Sequence, residues 1–440
     1  RPEVGDMFGQ KKHGGFLAPG MDFAFGFTGD GYIDRALQND WLICNDSVVS
    51  PASSNALEDL QLRISLEPIR DLKIDLTANR TRNRSREIQY MFEGMPDTRS
   101  GNFSMSIISI GSAFERPSAG DGYHSGTFER FRRNLDVIRD RVESQFLGAQ
   151  YPQGSILAGK TFDPANGTIS KHSPDVMIPA FLAAYTGKSA RNSALDFFPS
   201  LFSMMPNWRI TYTGLTKIAW FKKNFRSVNL NHAYRSTYSV GSYNTFQSFM
   251  SYMGDIGFVE DVQSGNPIPS SRFDISMVSI NEQFSPLIGM DATLKNGLTA
   301  KVEYKTSRIL NLSMSACQLV ETASRDFVIG LGYKIVNFNL FSGRNVKDSK
   351  NRVSHDLALR ADISFRNQSA LCRDIQQGFA QATNGNKALK ISCSADYTLS
   401  RLLTLRLYYD RQQNTPLVSS SSYPVVSADF GFSMKFSLTR

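Results

Sequence analysis

The sequence predicts an all-β membrane protein: an antiparallel transmembrane β-barrel segment interrupted by one mostly helical insertion. Three observations predict it. Apolar and polar residues alternate along most of the chain, the period-two mark of strands with one apolar and one polar face. The polar phase carries full charges well inside the strands, and the apolar phase carries aromatic rings toward strand ends, such as Phe365, Tyr397, Tyr409 and Phe430, as an interfacial girdle would. No apolar run approaches the roughly 18 residues of a membrane helix, whereas a membrane-crossing strand needs only about 10 residues, half of them apolar.

Taken in order, residues 1–56 read as an N-terminal segment that is partly strand and loop, with Asp22–Phe27 (DFAFGF) as a candidate first strand. Residues 57–111 read as barrel strands. Leu60, Leu62, Ile64 and Leu66 share one face, a short turn passes Pro68, and Leu72, Ile74, Leu76 and Ala78 share the next, which makes a hairpin with a tight connection. From 112 to 206 the alternation stops. Phe131, Leu135, Ile138, Val142 and Phe146 instead recur every three or four residues, predicting an amphipathic helix over Thr127–Leu147. Val176–Tyr185 is a second helical candidate, and Ser193 is placed to cap a third over Ala194–Phe198. Such an insert is too long for an ordinary loop.

Residues 207–440 return to barrel strands: Asn207–Gly214, Val228–Gly241, Arg272–Phe284, Leu287–Leu294, Leu298–Lys305, Leu310–Ala316, Phe327–Phe338, Leu357–Phe365, Leu389–Leu399 and Leu403–Tyr409. Leu298–Ala316 keeps one phase throughout, as one long strand or two joined near Ser307. Tight turns such as Ser400–Leu402 contrast with long polar connections such as Gln412–Tyr423. The last segment alternates cleanly, with Phe430, Phe432, Met434, Phe436 and Leu438 against Gly431, Ser433, Lys435 and Ser437. A chain end frays unless it is tied into a sheet, so this strand reads as a closing one. The total is about 14 to 16 strands.

A soluble sandwich or solenoid also alternates, with its apolar face as core. In a membrane barrel the apolar face meets lipid and the polar face lines a lumen. The charges and the aromatic rings favour the barrel. The lumen-facing candidates are Arg63, Lys73, Asp75, Lys301, Glu303, Arg360, Asp362, Arg406 and Lys435. The lipid-facing candidates are Phe365, Tyr397, Tyr409, Phe430, Phe432 and Phe436.

Composition narrows the function. The net charge is +9, but Lys and Arg are spread along the chain and alternate with apolar residues, which is the wrong arrangement for nucleic acid. Cys44, Cys317, Cys372 and Cys393 have no metal or redox spacing. His13, His124, His172, His232 and His355 are scattered. Thr186–Ser189 (TGKS) has the ending of a phosphate loop, but Leu182 stands where its first glycine belongs. Gly29–Asp34 (GDGYID) lacks the ligand ladder of a calcium loop, and no nucleophile elbow is present. No catalytic, cofactor or metal residue is expected, and no enzyme. The chain begins at Arg1 without a visible leader, which reads as the edge of an excerpt or a processed chain.

Several blocks are similar to one family: LEDLQLRISLEPIRDLKIDLTANRTRNRS, DVMIPAFLAAYTGKSA, the stretch from PNWRITYTG to YSVGSY, ISMVSINEQFSPLIGMDATLKNGLTAKVEYKTSR, FVIGLGYKIVNFNL and the final YYDRQQNTPLVSSSSYPVVSADFGFSMKFSLTR. Together they resemble the C-terminal part of the SprA/Sov family, the outer-membrane translocon of the Bacteroidota type IX secretion system. The resemblance runs from about Leu57 to Arg440 and carries no catalytic motif. It implies an arc of a very large single-chain barrel. It also implies a pore exporting folded cargo with a C-terminal secretion domain, a PorV-like shuttle barrel at a lateral gate, a periplasmic plug and a link to gliding motility. On that reading the C-terminus is periplasmic, Phe430–Leu438 closes the barrel against a strand outside this chain, and the 112–206 insert is a candidate cover for an unpaired gate edge. The alternative is a complete porin-like or ligand-specific channel of about 14 to 16 strands.

Overall fold

A computed structural model describes residues 32–38, 51–88, 98–115, 117–336, 338, 356–399, 403–418 and 423–436. Eleven strands form the continuous path of one antiparallel sheet. Its first three are β1 (Ala52–Ile69), β2 (Leu72–Ile88) and β3 (Thr98–Ser106). Next to β3 lies β5 (Phe225–Thr245), followed by β10 (Met277–Leu294), β11 (Leu298–Ser313) and β12 (Gln318–Ile335). The path ends with β13 (Leu357–Asp374), β14 (Ala380–Thr398), β15 (Leu403–Pro416) and β16 (Val425–Phe436). Two short strands join it: β4 (Asn207–Tyr212) between β2 and β5, and β9 (Phe273–Ile275) against β5. A separate small sheet holds β6 (Met250–Met253), β7 (Ile256–Glu260) and β8 (Pro267–Ser271). The fold is therefore all-β and antiparallel, as the alternation predicts, with an insertion that carries two α-helices joined by irregular chain. Among the described residues the path is open, with β1 and β16 at its two ends.

Register sorts the side chains, because directly opposed residues of antiparallel strands share a face. One row runs Leu66–Ile74–Ile210–His232. Another runs Leu230–Met290–Val302–Ile329–Ile363–Ile391. Near the end of the path, Ala361, Cys393, Tyr409 and Phe430 follow one another. The opposite face reads Ser65–Asp75–Arg209, then Asp291–Lys301–Gly330–Asp362–Ser392–Asp410–Asp429.

The strands are longer than their alternating stretches suggest. Leu298–Ala316 resolves as one strand, β11, ended by a turn after Ser313. Arg272–Phe284 and Leu287–Leu294 merge largely into β10, with a register irregularity between Phe284 and Ile288. Gln412–Pro416 belongs to β15 and pairs with β16 through Asn414, not to a polar connection. Those residues are polar on both faces, so side-chain period gives no signal while the backbone pairing continues.

The insertion runs between β3 and β4. Its helices are α2 (Gly126–Ser144) and α3 (Pro174–Tyr185); a short α1 (Tyr32–Gln38) precedes β1, and α4 (Ala219–Asn224) lies between β4 and β5. Within the N-terminal segment, Tyr32–Gln38 is helical and Ala52 opens β1. The candidate strand Asp22–Phe27, the turn Ser400–Leu402 and the end beyond Phe436 lie outside the described residues. In α2 the residues Phe131, Leu135, Ile138 and Val142 are buried, and Ser125 Oγ accepts the Phe128 N–H at 3.1 Å to cap the helix. In α3, Pro174 stands in the first turn and Val176–Phe181 are buried. Ala194–Phe198 forms no helix. Phe197 and Phe198 instead pack as rings against the sheet, with Phe198 4.8 Å from Tyr243 and 5.6 Å from Phe103.

These helices share one core with Phe103, Met105, Tyr238, Val240, Val278, Ile280, Leu310, Leu312 and Leu319 of the sheet. The insertion is therefore seated on the middle of the sheet, not along either end strand. The β6–β8 hairpin packs into the same body through Phe258, whose ring lies 5.4 Å from Phe146 and 5.3 Å from Tyr151.

Candidate functional site: the two faces of the wall

All nine residues predicted to face a lumen fall on one side of the sheet. Arg63, Lys73 and Asp75 are on β1 and β2, Lys301 and Glu303 on β11, Arg360 and Asp362 on β13, Arg406 on β15 and Lys435 on β16. Their charges are locally compensated. Lys73 lies 3.5 Å from Asp75. Glu303 lies 3.0 Å from Lys301 and 2.9 Å from Lys305. Arg406 lies 3.6 Å from Asp396, and Arg366 lies 2.9 Å from Asp326. These pairs are solvated and each contributes little to stability. Their effect is a hydrated surface of mixed sign. Gly330 and Gly332 keep this face low, since a Cβ there would meet Asp362 Oδ1 at 2.7 Å and Thr299 Oγ1 at 2.6 Å. Gly431 leaves room for the Tyr408 side chain, which a Cβ at that position would meet.

All six residues predicted to face lipid fall on the other side. Exposed apolar side chains cover much of this face, including Phe327, Leu331, Leu359, Ile363, Phe365, Leu407, Phe430, Phe432 and Met434. The apolar run on β13, Leu357–Phe365, has the length of a tilted membrane-crossing strand, roughly 9–11 residues. Its upper border is a row of rings, Tyr304–Phe327–Phe365. Along its lower border stand Tyr212, Tyr333 and Tyr397. Two details differ from expectation. Tyr409 and Phe430 are not at a border but in register with Ala361 and Cys393, inside the band. Tyr397 is buried rather than exposed, its ring 6.3 Å from Phe338.

Above the upper border the same face becomes charged, and here the insertion docks. Glu282 and Arg308 form a buried pair at 2.6 Å. Ser109 Oγ and the Tyr234 hydroxyl donate to Glu282 at 2.7 and 2.8 Å. Arg308 also donates to the Ser112 carbonyl and hydroxyl, at 2.6 and 2.8 Å. A second pair, Arg373–Glu321 at 3.0 Å, sends a further bond to the Tyr123 carbonyl at 2.7 Å. Each guanidinium thus neutralises a wall carboxylate and satisfies an insertion carbonyl at once. These anchors escaped the sequence reading. Their signal is present, however: Glu282, Arg308, Glu321 and Arg373 are charges standing in the apolar phase of their strands.

Among the described residues no group of three His, Cys, Asp or Glu side chains is placed to hold a metal ion. Cys317, Cys372 and Cys393 are free thiols, and Cys393 is exposed. Cys44, His13 and His355 lie outside the described residues. His232 Nδ1 lies 2.6 Å from the Leu287 carbonyl. Thr186–Ser189 follows the C-terminus of α3 instead of opening a helix, so it lacks the N-terminal amides that cradle phosphate. Of GDGYID, the first three residues lie outside the described set and the last three enter α1.

No family model matches the chain, and no curated protein matches it. Among solved structures it is similar to "OmpT (in-vitro folded), an outer membrane protein Vibrio cholerae (trimer form)". The identity is 10% and the TM-score 0.22, over 88% of this chain and 99% of that one. At that score the two backbones do not superpose, and the likeness carries no assignment of activity.

Proposed function

We propose that the chain is a stretch of wall of an outer-membrane protein-conducting channel that exports folded cargo through a gated pore. One observation carries the reading. The eleven-strand path keeps an unbroken polar, charge-balanced face, while its end strands β1 and β16 pair on one side only among the described residues. A conduit for folded proteins needs a wide hydrated surface that holds no cargo tightly, and mixed charges on every second residue supply one. Open strand edges invite pairing with further chain or with a partner. The apolar band supplies the lipid-facing side, bordered by rings as membrane strands are.

The resemblance to the SprA/Sov family supports the finer reading: type IX secretion, a role in gliding motility, a Bacteroidota outer membrane and a periplasmic C-terminus. On that reading the partners are a PorV-like shuttle barrel at a lateral gate, a periplasmic plug and cargo bearing a C-terminal secretion domain. On that reading the wall is expected to act as a passage rather than as a catalyst. The insertion braces the part of the wall that rises above the band.

The test is purification of the tagged full-length native protein from detergent-solubilised outer membranes, with mass spectrometry of what accompanies it. Recovery of a second β-barrel protein together with a periplasmic protein is the expected result. A lone, compact barrel the size of this chain would overturn the translocon and leave a porin-like channel.

A further inference from the structure

The end of the wall that holds the short β1–β2 and β10–β11 turns, its short-turn end, carries a corner that the channel reading does not use. Helix α4 (Ala219–Asn224) connects β4 to β5 there. Trp220 is 62% exposed and Ile218 52% exposed. The Trp220 ring lies 4.9 Å from Phe221 and 5.8 Å from Phe225 of its own segment. Phe225 pairs in register with Leu294 at the lower edge of the apolar band, so these rings continue the band.

Bases surround the rings. Lys222 and Lys223 lie in the last turn of α4. Lys295 is brought in by its N–H donating to the Asn224 carbonyl at 3.1 Å, and the β1–β2 turn by the Thr213 N–H donating to the Asp71 carbonyl at 3.0 Å. Exposed Arg70, Lys217 and Arg226 therefore join the same corner, where Lys217 pairs with Asp71. Acids are scarce beside these six bases: Asp71 is engaged by Lys217, and exposed Glu67 lies across the turn.

Water alone disfavours so much exposed indole, and lipid tails alone disfavour so many cations. A headgroup layer accepts both, with the ring at the acyl boundary and the ammonium groups on phosphate. We propose that the α4 corner is a binding site for anionic phospholipid headgroups, in the leaflet at the short-turn end. It would fix the depth and tilt of the wall at β4, β5 and β10. The proposal rests on the reading that the apolar band lies in a membrane.

The test uses the full-length native protein with every tryptophan other than Trp220 replaced by phenylalanine, Trp41 and Trp208 among them. The protein is placed in phosphatidylcholine nanodiscs in which a fifth of the lipid has brominated acyl chains, either as phosphatidylglycerol or as phosphatidylcholine. Selective enrichment makes brominated phosphatidylglycerol the stronger quencher of Trp220. Lys222→Glu with Lys223→Glu should lower that preference about tenfold or more, with heat-modifiable migration intact. Equal quenching by the two lipids would overturn the site. A companion chain with Ile363→Trp as its sole indole tests the underlying reading. Quenching at 363 without selectivity at 220 removes the lipid site alone, and no quenching at either position removes the membrane placement as well. Capture of a protein by a photo-crosslinker at position 220 in native outer membranes would also overturn the lipid site, in favour of a protein dock.

Discussion

Glu282 and Arg308 show how much one alternating position can hold. Each sits where the strand period calls for an apolar side chain, and each is nearly excluded from solvent. Buried ions are tolerated when they are paired and hydrogen-bonded. Here the carboxylate takes two hydroxyl donors and the guanidinium two acceptors on Ser112, with the Arg308 Nε left without a partner. Arg308→Met should therefore cost about 3–5 kcal/mol by leaving a buried carboxylate uncompensated, and Arg308→Met with Glu282→Leu should recover much of it. Urea titration of the purified protein, followed by proteolysis of the insertion, reads both changes. A double variant no better than the single one would mean that the pair is not the source. A second buried group gives a pH dependence. Burial raises the Asp175 carboxyl from 3.8 to about 6, partly offset by donors from Ser271 and Ser270. Arg82, Asp196 and Asp255 line the cavity beside it. The folded insertion keeps a proton that the unfolded chain releases above about pH 4, so this group's contribution to stability falls from pH 4 to 6 and is lost above 6. Asp175→Asn still accepts the Ser271 N–H, so it should flatten that window and stabilise the insertion at pH 7 by on the order of 2–3 kcal/mol. An unchanged pH profile from 4 to 7 in the variant would count against this account.

The helices and strands differ in how openly they announce themselves. Helix α2 was legible from its three-and-four spacing alone, and its cap is a single hydroxyl on the Phe128 N–H. Ser125→Ala should cost about 1 kcal/mol, seen as faster proteolysis within Gly126–Ser144 while the wall stays intact. The membrane-length part of each strand was equally legible, because Leu357–Phe365 or Leu403–Tyr409 alternates without interruption. Above the band the strands continue through stretches such as Ala380–Ala388 and Gln412–Pro416. They are polar on both faces there, or lie under the insertion, and period two vanishes although the hydrogen-bonded ladder does not. Strand β3 falls within the 57–111 strand segment but was not delimited, and the β6–β8 sheet was missed, for a related reason. They are short, Gly- and Pro-interrupted, and take their apolar contacts from the insertion rather than from a repeating face. Ala194–Phe198 failed in the other direction. A capping serine promised a helix, but Phe197 and Phe198 contribute more as ring contacts on Phe103, Tyr243 and Phe273.

At the scale of the whole molecule, the membrane reading turns on one asymmetry, and two adjacent residues of β14 isolate it. Cys393 stands between Ala361 and Tyr409 in the middle of the apolar band. Ser392, its neighbour, stands between Asp362 and Asp410 on the polar face. A lysine at position 393 would have to hold its charge among hydrocarbon, at a cost of about 2–4 kcal/mol near the bilayer midplane. The same lysine at position 392 meets two carboxylates and water, and should be neutral or slightly favourable. Cys393→Lys should therefore lower the fraction that inserts and migrates as a heat-modifiable band, while Ser392→Lys should not. In a soluble sandwich position 393 would be core, and its lysine would also destabilise. The two architectures separate when the variants are refolded into detergent and into bilayers of increasing thickness. The 393 penalty should grow with the hydrocarbon depth around the lysine if the band is lipid-facing, and should ignore it if the band is covered by protein. A penalty independent of bilayer thickness would refute the lipid-facing assignment and, with it, the assignment of Arg63, Asp75, Lys301, Glu303, Asp362 and Lys435 to a channel lumen.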